Sequence, residues 1–428
     1  MTIWPVFMVL ALFFLGVPCS FAMIMTAIPF FWTDPFIKIT IVAQKLLANC
    51  ESQSLMAIPF FITAGSIMGY YGITEKLMAL GNARVGRFTG GLGHVNVLVS
   101  CLMGGVSGSG AADCAIDCKM LVPEMVKYGY SKPYSAAITA ATGCITPIIP
   151  PGINLILFAC LCECSVGRLL ASGYLPGILL AGSMFLVNYL ISKKRGYGGK
   201  KSGMTKKEMG KLIISSIPAL FLPLGLIMAL RIGLCTPTEG GALMALYSII
   251  VGKYVYKQMK LKQLPSIMLE AVLTTAPVML ILCSANLFSY YMTWENIPRA
   301  LTNVLIEMTN NKYLFLLFCN ILFIVIGCFM DAMAAMIIIA PMLVPVINHF
   351  GIDIIHFGLM MCLNTGLAAI TPPFGTYIFL VSGTLRIKTA DMIKELIPFL
   401  IASFIVLMIV TYVPWISTII PNLMYGFT

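Results

Sequence analysis

Residues Cys144–Asn154 read CITPIIPPGIN, inside an uncharged run from Ala136 to Cys162. That run is long enough to cross a membrane. Pro147, Pro150 and Pro151 each lack a backbone N–H and clash with the preceding turn. At membrane depth, a backbone broken in this way is tolerated only where protein covers it or where it lines a cavity. The stretch therefore predicts a discontinuous spanning helix, with free carbonyls on one side of the break and free N–H groups on the other.

The whole chain supports a membrane setting. It has 428 residues, 59% hydrophobic and 10% charged; a soluble domain would carry about a quarter charged residues. Spanning strands would alternate polar and apolar residues, and these runs do not. The expected class is an all-α polytopic membrane protein. Met1–Phe31 has no basic start and no small-residue cleavage site, so it reads as a retained first span rather than a signal peptide. GVPCS (Gly16–Ser20) within it reads as a break rather than a lipoprotein signal. The net charge of +11 would suggest nucleic acid in a soluble protein. Here the enrichment of Lys and Arg in cytoplasmic loops accounts for it, and no nucleic-acid partner is expected.

Five segments hold most of the basic residues: Lys76–Arg87, Lys119–Lys132, Lys193–Lys211, Lys253–Lys262 and Arg386–Lys394. Placing all five inside threads the chain. A span at about 4–31 runs outward and one at about 53–71 returns, with 74–90 at the inner surface. Residues 91–128 are apolar with both ends inside, so they must enter and return as a re-entrant hairpin. Its turn is GGVSGSGAAD (Gly104–Asp113). Residues 133–160 cross outward through the proline break. Spans at about 170–192, 212–231, 237–255 and 266–290 follow. Residues 313–349 then enter and return from outside, interrupted at GCFMD (Gly327–Asp331). A span at 354–384 leads in, and a last one at about 395–418 leads out.

MLVP occurs at Met120–Pro123 and again at Met342–Pro345, an offset of 222 residues. The same offset maps Gly105 onto Gly327, Ser109 onto Asp331, Gly129 onto Gly351, and Pro150–Pro151 onto Pro372–Pro373. Each copy is a hairpin, then MLVP, then a broken span. By the charge argument, one copy enters from inside and the other from outside. An inverted-topology repeat with discontinuous helices points to a secondary transporter. The expected organisation is scaffold at 1–90, 166–312 and 386–428, with a transport core at 91–165 and 313–385.

With these stretches in view the chain resembles a known family. AIPFFITAG (Ala57–Gly65), GLGHVNVL (Gly91–Leu98), GVSGSGAAD (Gly105–Asp113), AAITAATGCITPIIPP (Ala136–Pro151), TPTE (Thr236–Glu239) and GIDIIHFG…LNTGLAAITPPFG (Gly351–Gly375) carry the likeness, in order and over nearly the whole chain. The chain looks like the large membrane subunit of the tripartite ATP-independent periplasmic (TRAP) transporters. The resemblance implies sodium-driven import of an organic acid anion such as a C4-dicarboxylate, a sialic acid or another sugar acid. It implies a location in the bacterial cytoplasmic (inner) membrane. It implies two partners, a soluble extracytoplasmic substrate-binding protein and a small four-span membrane subunit, the latter expected as a separate chain. Motion is expected to be an elevator-like shift of core against scaffold. The chain departs from the family at Cys144 and Thr146, where Thr and Gly are frequent. It departs again at Gly152-Ile153-Asn154, where a Ser-Ile-Pro pattern is usual.

Sodium is a hard cation that takes oxygen ligands. One site is expected at Ser107, Gly108, Ser109, Gly143 and Thr146. A second is expected at Gly327, Asp331, Asn364, Gly366 and Thr371, with Thr365 nearby. For each hydroxyl, bonding back to its own helix is the alternative. Asp331 is an acid at membrane depth, which marks it as a functional candidate. Asp117 is expected to face Lys119 near the inner surface. No Lys or Arg falls near the middle of a predicted core span. An anionic substrate would then rest on half-helix N-termini, hairpin amides and bound sodium. Its candidate contacts are Ser109, Pro150, Pro151, Gly152, Asn154, Pro372, Pro373 and Gly375. No organic cofactor and no metal beyond sodium is expected.

TPTE has the order of a helix capping box and needs no functional reading. The fourteen cysteines raise a rival. CLCEC (Cys160–Cys164) and DCAIDC (Asp113–Cys118) would suit a metal or redox protein, but they lack the C-x-x-C spacing of common zinc and iron–sulfur sites. The other rival is a stand-alone sodium–carboxylate symporter of related architecture, working without a binding protein.

Overall fold

The computed structural model describes all residues except 1–3, 34–37, 53–54, 71–72, 106, 199–205, 258–260, 310, 330–331, 374 and 427–428. The described residues are helical, with no strand among them. In chain order the first helices are α1 (Trp4–Phe14), α2 (Cys19–Thr33), α3 (Thr40–Glu51), α4 (Ala57–Tyr70) and α5 (Ile73–Val85). The first break falls at GVPCS, where Gly16 takes a positive φ of 80° that a glycine adopts without steric cost. Next come α6 (Gly91–Gly104), α7 (Gly110–Lys127), α8 (Lys132–Thr142) and α9 (Ile153–Leu161). The middle of the chain contributes α10 (Val166–Ser172), α11 (Tyr174–Arg195), α12 (Lys206–Arg231), α13 (Pro237–Ile250), α14 (Leu264–Trp294) and α15 (Ile297–Met308). The rest are α16 (Lys312–Phe329), α17 (Ala332–His349), α18 (Ile354–Ala368), α19 (Thr376–Leu385), α20 (Thr389–Tyr412) and α21 (Trp415–Tyr425).

Val166–Arg195, Leu264–Trp294 and Thr389–Tyr412 are each long and apolar enough to cross a membrane. Shorter apolar helices fill out the core, α6, α16 and α18 among them. Large apolar side chains remain exposed along α11, α14 and α20, for example Leu186, Leu273 and Ile401. A water-soluble protein would bury such a surface; hydrocarbon does not require it.

The apolar stretch 91–128 folds as two packed helices, α6 and α7, joined at 105–109. The stretch 133–160 is α8 and α9 with a non-helical link at 143–152. The order recurs downstream: α16, α17, α18, a link at 369–375, then α19. TPTE forms both halves of its capping box. Thr236 Oγ1 accepts from the Glu239 N–H, and Glu239 accepts from the Thr236 N–H.

Three helices have no counterpart in the sequence reading: α3, α15 and α21. The last expected span is instead two helices that part at Val413–Pro414, and α21 folds back onto α10, α11 and α18. It is fastened there by Arg168, which donates to Asn422 Oδ1 at 2.7 Å, and by His356 Nδ1, 2.7 Å from Ser417 Oγ.

Buried amides join the helices around each broken span. Asn96 on α6 donates to Thr139 Oγ1 and accepts from Thr142 Oγ1, both at 2.7 Å. Asn320 on α16 accepts from Asn364 at 2.6 Å and donates to Thr411 at 2.9 Å. Asn96 and Asn320 are both fully buried. Truncating Asn96 to Ala removes the donor to the buried Thr139 hydroxyl and leaves Thr142 Oγ1 with the Thr139 carbonyl alone. Thermal unfolding of the detergent-purified protein should show a loss of about 1–3 kcal/mol.

Candidate functional site

The site is built where the two hairpin-and-break units meet. At the first hairpin tip, Gly108 takes φ +60°, and a Cβ there would lie 2.6 Å from the Pro151 carbonyl oxygen. The tip thus lies directly against the first break. The Ile153 N–H, at the start of α9, donates to the Gly108 carbonyl at 3.4 Å. Gly110 is closer still to the break. A Cβ on it would lie 2.2 Å from the Gly143 carbonyl oxygen and 2.4 Å from the Tyr377 hydroxyl. The absence of a side chain lets α7 approach the end of α8 and the start of α19 together.

The expected first sodium group is therefore brought together. Ser107, Gly108 and Ser109 form the tip, and Gly143 and Thr146 stand on the break beside it. The hydroxyls already have partners within the protein. Ser107 Oγ donates to Met103 O at 3.3 Å and accepts from the Ser109 N–H at 3.4 Å. Ser109 caps α7 by accepting from the Ala112 N–H. Thr146 Oγ1 donates to Asp113 Oδ2 at 2.8 Å and also lies 3.3 Å from Ser100 O.

In the second group, Gly327 is buried near the end of α16. The neighbouring Cys328 thiol lies 3.9 Å from Thr371 O and 3.8 Å from Pro372 O, so this hairpin also ends against a break. Thr371 Oγ1 donates to Leu367 O at 2.7 Å. Asn364 Nδ2 is engaged with Asn320, but its Oδ1 is buried with no hydrogen-bond partner among the described residues. The Gly366 carbonyl accepts from the Cys144 thiol at 2.9 Å. Asp331 lies outside the described residues.

A cavity of about 180 Å3 lies between the two units. The first contributes Ser109, Pro147 and Asn154; the second contributes Thr365, Thr376 and Tyr377. Asn154 Nδ2 donates to Thr365 Oγ1 at 3.0 Å and so links α9 to α18. Of the expected substrate contacts, Ser109 and Asn154 line this cavity. Pro150, Pro151 and Gly152 are buried in the break behind it. Pro372 is half-buried, Pro373 exposed and Gly375 buried at the other break. Both double prolines contain a cis bond. Neither α9 nor α19 has a side-chain N-cap, since Gly152 and Gly375 precede them. A larger chamber of about 400 Å3 adjoins, sharing Ser109 and Ile153 and bounded by α4 and α14.

The structure corrects one expectation. Asp117 does not pair with Lys119. It is 1% exposed and neither carboxylate oxygen has a hydrogen-bond partner among the described residues. Residues two apart on a helix point to different faces, whereas four apart share one; Asp117 accordingly lies one turn from the equally buried Asp113. The sequence reading also missed Asn96, Asn320 and Tyr377. A lone amide in an apolar run was the available signal for the first two.

The close approach of tip to break makes a sharp prediction. Gly110→Ala overpacks backbone against backbone and should cost about 1–3 kcal/mol, read as a lower unfolding temperature. Gly182→Ala, where a Cβ meets nothing within 4 Å, should leave that temperature unchanged.

A family model described as "Tripartite ATP-independent periplasmic transporter, DctM component" matches residues 6–416. The sialic acid TRAP transporter permease protein SiaT of Haemophilus influenzae is 33% identical over 415 residues, 97% of this chain and 67% of the relative. The sialic acid TRAP transporter large permease protein SiaM of Vibrio cholerae is 32% identical over 418 residues, 98% of each. Among solved structures, the Alcanivorax borkumensis YdaH transporter superposes with a TM-score of 0.67 at 13% identity, over 93% of this chain and 97% of that one. That likeness concerns the fold alone. With the family match and two relatives that cover nearly all of this chain in agreement with the helices described, the chain belongs to the DctM family of TRAP transporter large permeases, a multi-pass membrane transporter component and not an enzyme.

Proposed function

We propose that this chain carries out sodium-coupled uptake of an organic acid anion across a bacterial cytoplasmic membrane. The anion is handed over by an extracytoplasmic binding protein, and a small four-span membrane subunit packs on the scaffold. The observation that carries the reading is the single cavity shared by two hairpin-and-break units, with Ser109 and Asn154 from one and Thr365 and Thr376 from the other.

The packing of helices supports an inverted repeat. α7 packs on α19, and its counterpart α17 packs on α9; α8 packs on α19, and its counterpart α18 packs on α9. Reciprocal pairs of this kind are what a two-fold relation produces. Cys144 and Gly366, which are 222 residues apart and hence equivalent positions, touch each other. Only positions near the axis can do that. The placement of basic residues supplies the opposite orientation of the two copies. On this reading the core is 91–165 with 313–385, and it moves against a scaffold of 1–90, 166–312 and 386–428.

The oxygen atoms suit sodium. A hydroxyl that donates its hydrogen to its own helix, as Ser107 and Thr371 do, still presents lone pairs. Asn364 Oδ1 is a buried acceptor with no partner among the described residues, and such atoms call for an explanation; ligation of a cation is one. No side chain caps α9 or α19; Gly108 O and Ala369 O take the Ile153 and Tyr377 N–H groups, and the other first-turn N–H groups suit a carboxylate. Cation binding first would complete the anion site and so couple the two fluxes. The membrane potential then adds roughly 2.3 kcal/mol per net charge per 100 mV. Sialic acid, named in both relatives, is one such carboxylate.

The test is uptake into proteoliposomes holding this chain and its small subunit. Labelled organic acids are offered with and without a sodium gradient, and with and without the binding protein. Uptake should require both. Ser109→Ala should raise the sodium concentration for half-maximal uptake about tenfold, equivalent to about 1.4 kcal/mol. Uptake with sodium but no binding protein would instead establish a stand-alone symporter. Uptake indifferent to sodium would overturn the coupling.

A further inference from the structure

Two of the fourteen cysteines meet outside the transport site. Cys50 is exposed on α3 and Cys283 is buried on α14. Their sulfurs are 3.3 Å apart, a thiol–thiol contact between residues 233 positions apart in the chain. The contact sits in a fixed register. Asn49 Nδ2 donates to Leu282 O at 2.7 Å, immediately beside the thiols. One turn away, Asn286 Nδ2 donates to Lys45 O at 2.8 Å. Lys45 in turn lies over the Tyr290 ring at 4.6 Å. Residue 45 thus meets 286 and residue 49 meets 282, so the helices run antiparallel and the sulfurs are held facing each other.

The charge-based threading places this contact. α14 leaves the basic inner segment Lys253–Lys262 and runs outward. Cys283 follows Leu264 by nineteen residues, about 28 Å along a helix at 1.5 Å per residue. The hydrocarbon core is about 30 Å thick. The thiols therefore lie at the extracytoplasmic edge, the side on which disulfides form and persist.

We propose that Cys50 and Cys283 are a modification site: a thiol pair that closes to a disulfide and ties α3 to α14. The oxidant is a disulfide, small or protein-borne, reaching exposed Cys50. The Cys50 thiolate attacks one sulfur of that disulfide, giving a mixed disulfide and releasing one thiolate. The Cys283 thiolate then attacks the Cys50 sulfur, forming the internal bond and releasing the second thiolate. The two protons from the cysteines pass to the two leaving thiolates; the protein loses two electrons and the reagent gains them. Closure requires the sulfurs to move from contact to about 2.05 Å, a side-chain adjustment within a register already set by Asn49 and Asn286. The link joins two elements assigned to the scaffold, and its readout is independent of transport.

The experiment treats membranes containing the full chain with oxidised glutathione, quenches free thiols by alkylation, and maps non-reduced peptides by mass spectrometry. A linked peptide pair containing Cys50 and Cys283 is expected, lost on dithiothreitol treatment and absent in Cys50→Ser and Cys283→Ser. In the reduced protein, Cys50 should accept a membrane-impermeant maleimide from outside, and oxidation should abolish that labelling. The inference falls if both residues are recovered alkylated after oxidation. It falls equally if Cys50 is recovered as the glutathione adduct with Cys283 free, or if Cys50 labels only from the cytoplasmic side. The decisive mapping is made on the unsubstituted chain, so it does not depend on how the variants fold.

Discussion

The rest of this structure depends on one constraint: backbone groups released at membrane depth must find partners in protein, because hydrocarbon offers none. Breaking the helix at 143–152 releases carbonyls from the end of α8 and N–H groups at the start of α9. The first hairpin tip supplies the cover. Gly108 O takes the Ile153 N–H, and Gly110 brings α7 against the Gly143 carbonyl. The second break is closed in part from within, by Tyr377 N–H donating to Ala369 O at 2.9 Å. It is also closed from the first unit, by the Cys144 thiol on Gly366 O. The first hairpin tip and the contacts between the two broken helices are thus what cover the released backbone. The cavity lies between the units because the breaks are where side chains give way to backbone.

The buried polar groups divide by their degree of satisfaction. Asn96, Asn320 and the hydroxyls they hold are hydrogen-bonded to one another and lock helices together. Asp113 is half satisfied, through Thr146, and Asp117 has no hydrogen-bond partner among the described residues. A satisfied network rigidifies a core, and an unsatisfied group in the same medium is costly. Both acids lie on α7, the arm of the hairpin that packs on α8 and α19. The hairpin is held to its neighbours by close packing at glycines such as Gly110 and by side-chain bonds such as Thr146 to Asp113 and Cys114 to Thr139 O.

The sequence exposed the fold where its physics is local. Proline placement located both breaks, glycine and serine runs located the tip at 105–109, and TPTE read correctly as a capping box. The GVPCS break between α1 and α2 was legible for the same reason. The short helices α3, α15 and α21 were not, because each mixes polar and apolar residues in a span too short for a hydropathy signal. Their positions depend on distant partners such as Arg168 and Leu282. The candidate site was legible as segments but not as a set of contacts. Nothing local to Tyr377 says that it lines a cavity with Ser109, because that proximity arises only when the two units dock. Asp117 differs from its expected place because helical phase, not proximity in sequence, decides the face: two residues from Lys119 it points elsewhere, into the protein.

On the proposed inverted repeat, the contact between Cys144 and Gly366 has a further consequence. Equivalent positions that touch each other share one volume, so the two cannot both carry a large side chain. Here one copy carries the thiol, and the other carries none. A Cβ on Gly366 would already lie 3.2 Å from the Cys144 carbonyl oxygen. The asymmetry is thus imposed by packing at the axis, and it leaves the two units chemically distinct. One break donates a side-chain hydrogen across the axis, while the other offers a backbone carbonyl to receive it. On that proposed relation the two halves differ where they touch, because two large side chains do not fit at the positions nearest the axis.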